Sequence, residues 1–524
     1  MKLRTIVKIA ITSSVVLLCS GFALYSFFRL SAAEGQKDFN LYELVPSTTL
    51  AVFVTDDVLE FVAEVDELTC SKNQQYLYVS KLFSYLKQSL YALSEDTPHG
   101  LSRQMNQMLI SFHEPDNERN QVLYCRLGNG DKELVNRFVR KYISSLYPPK
   151  TFIYKGEEII IYPMADGDFL ACYLTSDFMA LSFQKKLIEN VIDAYKSGKS
   201  LADDSTFTGI RAPKKSAAAA TIYTRMQGMM GWTEFDMKMK DDFIYFSGIT
   251  HDADTCFAFI NQLRQQQSVK GFPGEVLPST AFYFSRQGIT DWVSLLSYGN
   301  AQGQSVPART SEVQNRDKEF SRYLMENAGQ DLVACLFQRE DTLQGAAAVL
   351  SLSVADVTEA ERMLRALVNA ASADEGRRNP RITFCYTVNK AYPIYRLPQT
   401  TLFEQLTSFA EPTLDVYAAF YGGRLLLAPD ADALAHYIRQ LDKGEVLNGA
   451  MAYQTGMDHL SDSYHFMLMA DFDHIFQQSE NHVRFVPDFF LRNADFFCHF
   501  TLFVQFACAD GVVYPNIVLK YKSE

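Results

Sequence analysis

The chain has 524 residues, 48% apolar and 21% charged, with 39 Phe and 28 Tyr against only 2 Trp. That length exceeds a single core, which stops growing at roughly 250–300 residues, and the composition excludes a disordered chain. A net charge of −12 repels phosphate backbones, so nucleic acid is not an expected partner.

Residues 9–28 (IAITSSVVLLCSGFALYSFF) run without a charge. At about 1.5 Å per residue such a run crosses a hydrocarbon core of roughly 30 Å. Lys2, Arg4 and Lys8 precede it, so residues 1–8 are expected to stay cytoplasmic while the rest is exported. The −12 less the four cations Lys2, Arg4, Lys8 and Arg29 leaves −16 for the exported part. Ser31-Ala32-Ala33 offers a signal-peptidase site, and cleavage after Ala33 is the rival reading. The run is longer than a signal core of roughly 7–15 residues, and Arg29 follows directly, which favours an uncleaved anchor. A lipoprotein reading of Cys19 is weaker, because Leu18 stands where a small residue is required. Residues 29–40 then read as a linker.

Beyond the linker the chain is written twice. LVPSTTLAVFVTDDVLEFV (44–62) returns as VLPSTAFYFSRQGITDWVSLL (276–296), aligned on Pro46 and Pro278. A helical stretch follows the first copy, with apolar residues three and four apart between Asn73 and Asp96; the second has the polar loop YGNAQGQSVPART. Two apolar runs around a polar tip then predict a hairpin at 108–127 and another at 331–352. Asp131 and Asp356 open the next helices, where an Asp accepts bonds from the free N–H groups of the first turn. Further hairpins begin at Phe152 and Phe384. A third pair follows, DFLACYLTSDFMALSF and LDVYAAFYGGRLLLAP, the latter turning on Gly422-Gly423. Helices ending near Gly198 and Gly444, then single strands and long strand-rich tails, complete both copies.

The shared order of these elements implies a tandem duplication, with a first repeat over 41–271 and a second over 272–524. The boundary, Gly271-Phe272-Pro273-Gly274, has a linker's composition. Each repeat is expected to be an α+β domain, a mainly antiparallel sheet with helices on one face.

Chemistry is harder to find. The eight cysteines outside the apolar run lie mostly inside strand-like segments with no Cys-x-x-Cys, and buried free thiols are the expected reading. His459, His465, His474, His482 and His499 match no zinc spacing. The densest acidic spot, MADFDHIF, holds Asp471, Asp473 and His474. Its place at a strand-to-helix junction explains Asp473 as a helix cap. The matching first-copy residues, Tyr223-Thr224-Arg225-Met226, carry no such ligands. Asp203, Asp204 and Ser205 read as turn formers. No nucleophile motif or phosphate cradle is present, so no catalytic residue, metal or cofactor is expected.

RMQGMMGWTEFDMKMK (225–240) concentrates five methionines and one tryptophan. Met226, Met229, Met230 and Trp232 are therefore the candidate surface for a ligand or partner, with core filling as the competing reading.

The layout resembles a family of bacterial envelope proteins classed only as a domain of unknown function. In that family a single membrane segment precedes an exported region opening with a phrase like LYELVPSTTLAVFVTDD. The resemblance implies a Gram-negative envelope setting and brings no active-site residues. The expected function is a non-enzymatic, membrane-anchored periplasmic protein that binds or scaffolds another envelope component. A periplasmic carrier of lipid or another hydrophobic ligand is the first alternative, and an enzyme of unrecognised type the second.

Overall fold

The computed structural model describes residues 39–74, 105–128 (without 115, 116 and 118), 131–138, 147–210 (without 165 and 166), 218–225, 231–250, 258–339 (without 294 and 297–310), 346–374, 382–407 (without 389), 413–478 and 486–522. The apolar run 9–28, most of the stretch 73–96, the loop 298–310 and Met226, Met229 and Met230 lie outside them. Among the described residues no helix is long and apolar enough to cross a membrane.

Ten strands fall before residue 251: β1 (Ala51–Thr55), β2 (Met108–Phe112), β3 (Gln121–Arg126), β4 (Lys150–Tyr154), β5 (Glu157–Pro163), β6 (Phe169–Leu174), β7 (Phe178–Ser182), β8 (Ala220–Thr224), β9 (Thr233–Lys240) and β10 (Phe243–Thr250). Antiparallel pairing orders them β4-β5-β6-β7-β3-β2-β1-β8-β9-β10.

After the two-residue β11 (Val269–Lys270) come β12 (Ala281–Gly288), β13 (Ala328–Phe337), β14 (Ala347–Val354), β15 (Ile382–Tyr386), β16 (Ala391–Arg396), β17 (Tyr417–Tyr421) and β18 (Arg424–Ala428). The short β19 (Ser463–Tyr464) precedes β20 (Phe466–Asp471), β21 (Phe500–Ala509) and β22 (Val512–Tyr521). Leaving the short pair β11–β19 aside, the order is β15-β16-β17-β18-β14-β13-β12-β20-β21-β22. Strand for strand this is the order of the first ten.

β10 pairs antiparallel with β22, fusing the two runs into one twenty-stranded sheet. The pair is centred on Ser247 opposite Asn516. Each stands six residues past the start of its own hairpin turn, which begins at Asp241 in one and Asp510 in the other. Matched residues of matched strands therefore face one another, the self-complementary form of an isologous contact.

The turns obey local chemistry. Gly422-Gly423 joins β17 to β18 with φ of 55° and 78°, the left-handed pair that a two-residue hairpin needs. Helix Ala431–Asp442 starts at Asp430, whose carboxylate accepts the Ala433 N–H at 2.7 Å. Asp356 accepts from Thr358 and Glu359, as its position predicts. Asp131 instead reaches back to the Gly128 N–H.

Helices cover both faces of the sheet, which corrects the expected one-face arrangement. Val52 joins Leu109 and Tyr124 in a cluster under helix Lys185–Ser197. Its neighbour Phe53 points the other way, to Phe61 and Val65 of helix Val58–Glu67. The second half repeats this, with Phe284 in the cluster under helix Ala431–Asp442. The cluster containing Phe53 continues across the β10–β22 join to Leu519 and Tyr521. The boundary segment is also no free linker. Phe272 stacks on Tyr464, and Pro273 and Gly274 are buried in the short 3-10 helix Pro273–Glu275.

Gly248 sits at the join. A side chain there would meet the Phe235 ring at 2.7 Å and the buried Pro515 ring at 2.8 Å. Gly248→Val should therefore cost about 1–3 kcal/mol through overpacking, read as a lower urea midpoint; an unchanged midpoint would count against a tightly packed join.

Candidate functional site

Pro46 and Pro278 fix corresponding corners of the two halves. Each forms an isolated bridge, to Ser200 and Val446 respectively. From there the ladder hydrogen bonds match positions without reference to sequence likeness. Tyr223 pairs with Val52 and Glu234, and Met469 pairs with Phe284 and Phe503. Two residues on, Asp471 lies directly opposite Thr501. The residues at those places in the first half are Arg225 and Trp232.

Trp232 is buried and not a surface residue. It is 1% exposed, edge-on to Phe207 at 5.0 Å, with the Arg225 guanidinium 4.7 Å from its ring centre. Arg225 Nε donates to the Thr49 carbonyl at 3.0 Å and another guanidinium nitrogen donates to the Ser47 carbonyl. Asp204 lies 3.7 Å away and also caps helix Ser205–Ile210 through the Thr206 and Phe207 N–H groups. Arg225 and Trp232 together plug the corner between the Pro46 turn, that helix and the sheet. For Trp232 the core reading prevails over the binding-surface reading.

In the second half the same corner is a cavity of about 250 Å³. Its floor is apolar: Phe282, Tyr453, Met469 and Phe503 are each at most 5% exposed. Asp471, His474 and Thr501 supply a polar wall, and Ser279 and Gln338 stand exposed at the rim. Tyr453 is the third residue of helix Met451–Met457, as Phe207 is of Ser205–Ile210; Ala450 precedes that helix where Asp204 precedes its counterpart.

Asp471 organises the polar wall. It is the cap of helix Phe472–Phe476, accepting the Asp473 N–H at 3.1 Å, so the capping role assigned to Asp473 from sequence belongs to Asp471. Lys522 donates to Asp471 at 2.7 Å and lies 3.9 Å from Asp473. The His474 imidazole is 3.5 Å from Asp471 and stacks on Phe282. Burial acts to raise the Asp471 carboxyl, but the bonds and charges of His474 and Lys522 outweigh it and hold it below 3.8. The contact with Asp471 in turn lifts His474 above 6.5, against the opposing effect of burial.

His459 and His465 do not converge here, and His482 lies outside the described residues. His459 packs on Phe243 and Tyr245, and His465 accepts the Cys508 N–H. Among the described residues no group of three His, Cys, Asp or Glu side chains could hold a metal ion. Seven cysteines are free thiols there, five of them buried; burial pushes Cys125 and Cys172 up to about 12. Asp203 binds Ser200, the turn role read from sequence.

Comparison with protein-family models, curated proteins and solved structures finds no match for this chain.

Two expectations follow. Trp232→Ala should lower stability by about 3–5 kcal/mol in chemical denaturation, whereas a surface tryptophan would cost little. Because His474 titrates higher folded than unfolded, its contribution to stability is present below pH 6.5 and is lost as the pH rises through the raised value. In an NMR titration the His474 resonance should move above 6.5 in the native chain and fall back in Asp471→Asn; equal midpoints in both would remove the Asp471–His474 coupling.

Proposed function

We propose that this chain is a single-pass inner-membrane protein with a cytoplasmic N-terminus and a periplasmic bulk. In this reading the bulk arose by tandem duplication and acts as a non-enzymatic binding or scaffold protein for another envelope component. The uncharged run 9–28 behind Lys2, Arg4 and Lys8 supports the anchor and its direction. The matching strand orders of the two halves support the duplication.

One observation carries the binding role: a corner sealed by Arg225 and Trp232 in the first half is an open cavity beside Asp471 in the second. A cavity at that depth, apolar below and polar at one wall, has the general make-up of a small recognition pocket. A carrier of lipid chains would call for a long apolar channel. The Asp471 cavity is small, about 250 Å³, with a polar wall, and the apolar side chains around it belong to packed clusters, so nothing specific favours that alternative. An enzyme would call for a nucleophile or acid–base pair aimed into the pocket, and the Asp471–His474–Lys522 group is engaged chiefly with itself.

In-cell crosslinking of the full chain with affinity capture, and identification of lipids from the same sample, tests the reading. The expected result is one envelope protein enriched reproducibly without stoichiometric lipid. Lipid at one equivalent, or no enriched envelope component, would reject it.

A further inference from the structure

We infer that the Asp471 cavity binds an organic cation carrying a flat ring, the chemistry of an arylalkyl ammonium or of neighbouring Arg and Trp side chains. The inference deepens the binding role proposed above and rests on it.

The warrant is the residue-by-residue exchange between the two corners. Where the first half places the Arg225 cation, the second places the Asp471 carboxylate; where the first places the Trp232 indole, the second places Thr501. Asp204, which balances Arg225, has Ala450 at its counterpart position. What the first half supplies from its own chain, a cation and a ring, the second half lacks, and it has reversed the charge that would meet them. Ser279 and Ala281, at the places of Ser47 and Thr49 whose carbonyls hold the Arg225 guanidinium, both line the cavity.

Shape and charge agree. Trp232 rests edge-on to Phe207, and Tyr453 at Phe207's position offers a ring entering ligand the same aromatic contact. Two carboxylates, Asp471 and Asp473, face a single ammonium, Lys522. Asp471 is the carboxylate that lines the cavity, and an entering cation would share it with Lys522. Thr501 is 8% exposed and Phe503 0%, so the ring would be buried on the floor, while His474, 44% exposed, stands at the mouth.

The test is calorimetric titration of the detergent-solubilised full chain. Tryptamine represents a free amine, the acetylated amide of Arg-Trp represents a partner's side chains, and indole-3-acetate carries the same ring with the opposite charge. Binding of tryptamine or the dipeptide, with indole-3-acetate at least about tenfold weaker, is the expected result. Asp471→Asn, which keeps the helix cap, should weaken the cation by about tenfold or more. Thr501→Trp should abolish binding by restoring the plug, with the thermal melt confirming the fold, and Thr501→Ser should bind as the native chain does. Equal binding of the anion, binding that survives Thr501→Trp, or no binding of either cation would overturn the inference. Failure here with the crosslinked partner intact strikes the ligand chemistry alone, whereas cation binding without any captured partner strikes the envelope-docking role alone.

Discussion

The pairing of β10 with β22 is the contact on which the rest of the architecture depends. Among the described residues each half joins ten strands and presents the open side of its tenth to the other, so a strand that would be an exposed edge in one half is covered by its counterpart. The hydrogen bonds from Phe243 opposite Lys520 to Thr250 opposite Val513 set the two halves in register. The apolar cluster that runs from Phe53 to Tyr521 then seals one face across the join. The short β11–β19 pair and the buried Pro273–Gly274 corner tie the crossover segment into the second half, so the halves are fastened at more than one place.

Much of this was legible in the sequence, and for reasons that can be stated. Hairpins such as Phe152–Pro163 and Tyr417–Ala428 announced themselves because apolar runs of strand length flank Lys155-Gly156 and Gly422-Gly423, whose glycines take positive φ at little cost. Helix Lys185–Ser197 was visible from Leu187, Ile188, Val191 and Ile192 on one side and Gly198 at its end. The two-sided covering of the sheet was misread although its sign was present. QVLYCR and FMALS are buried almost throughout, and near-continuous apolar strands belong to sheets covered on both faces. The join between β10 and β22 had no such sign. FIYFSGIT and VVYPNIVLKY read alike as half-buried strands, and nothing local distinguishes an edge that meets solvent from one that meets its own counterpart.

The candidate site was half legible. The rough match of Tyr223–Met226 with the Asp471–His474 spot was available from sequence, and so was the rarity of tryptophan, but only strand register sets Arg225 against Asp471. What was missing was depth. Trp232 sits among five methionines in a compositional cluster, which suggested a surface, whereas its place opposite Arg225 makes it a core plug. Asp471 lost the cap to Asp473 in the sequence reading because the strand-to-helix boundary was set two residues late. Charge reversal at one position and loss of an aromatic at its cross-strand partner become informative only together, and register brings them together.

The distance along the chain between the joined strands has a consequence for how the protein is made. β10 and β22 are separated by the whole second half, so the first half emerges with one side of its tenth strand unpaired until the last of the strands has followed. Contacts of such sequence separation form slowly, and an open edge of aromatic and β-branched residues is prone to pair with the wrong neighbour meanwhile. Ser247 near the centre of that edge, and the Gly248 that follows it, place two weak strand-formers where premature pairing would otherwise begin. Order of synthesis thus becomes a structural variable: a sheet closed by its final strand is exposed to aggregation for as long as that strand takes to arrive.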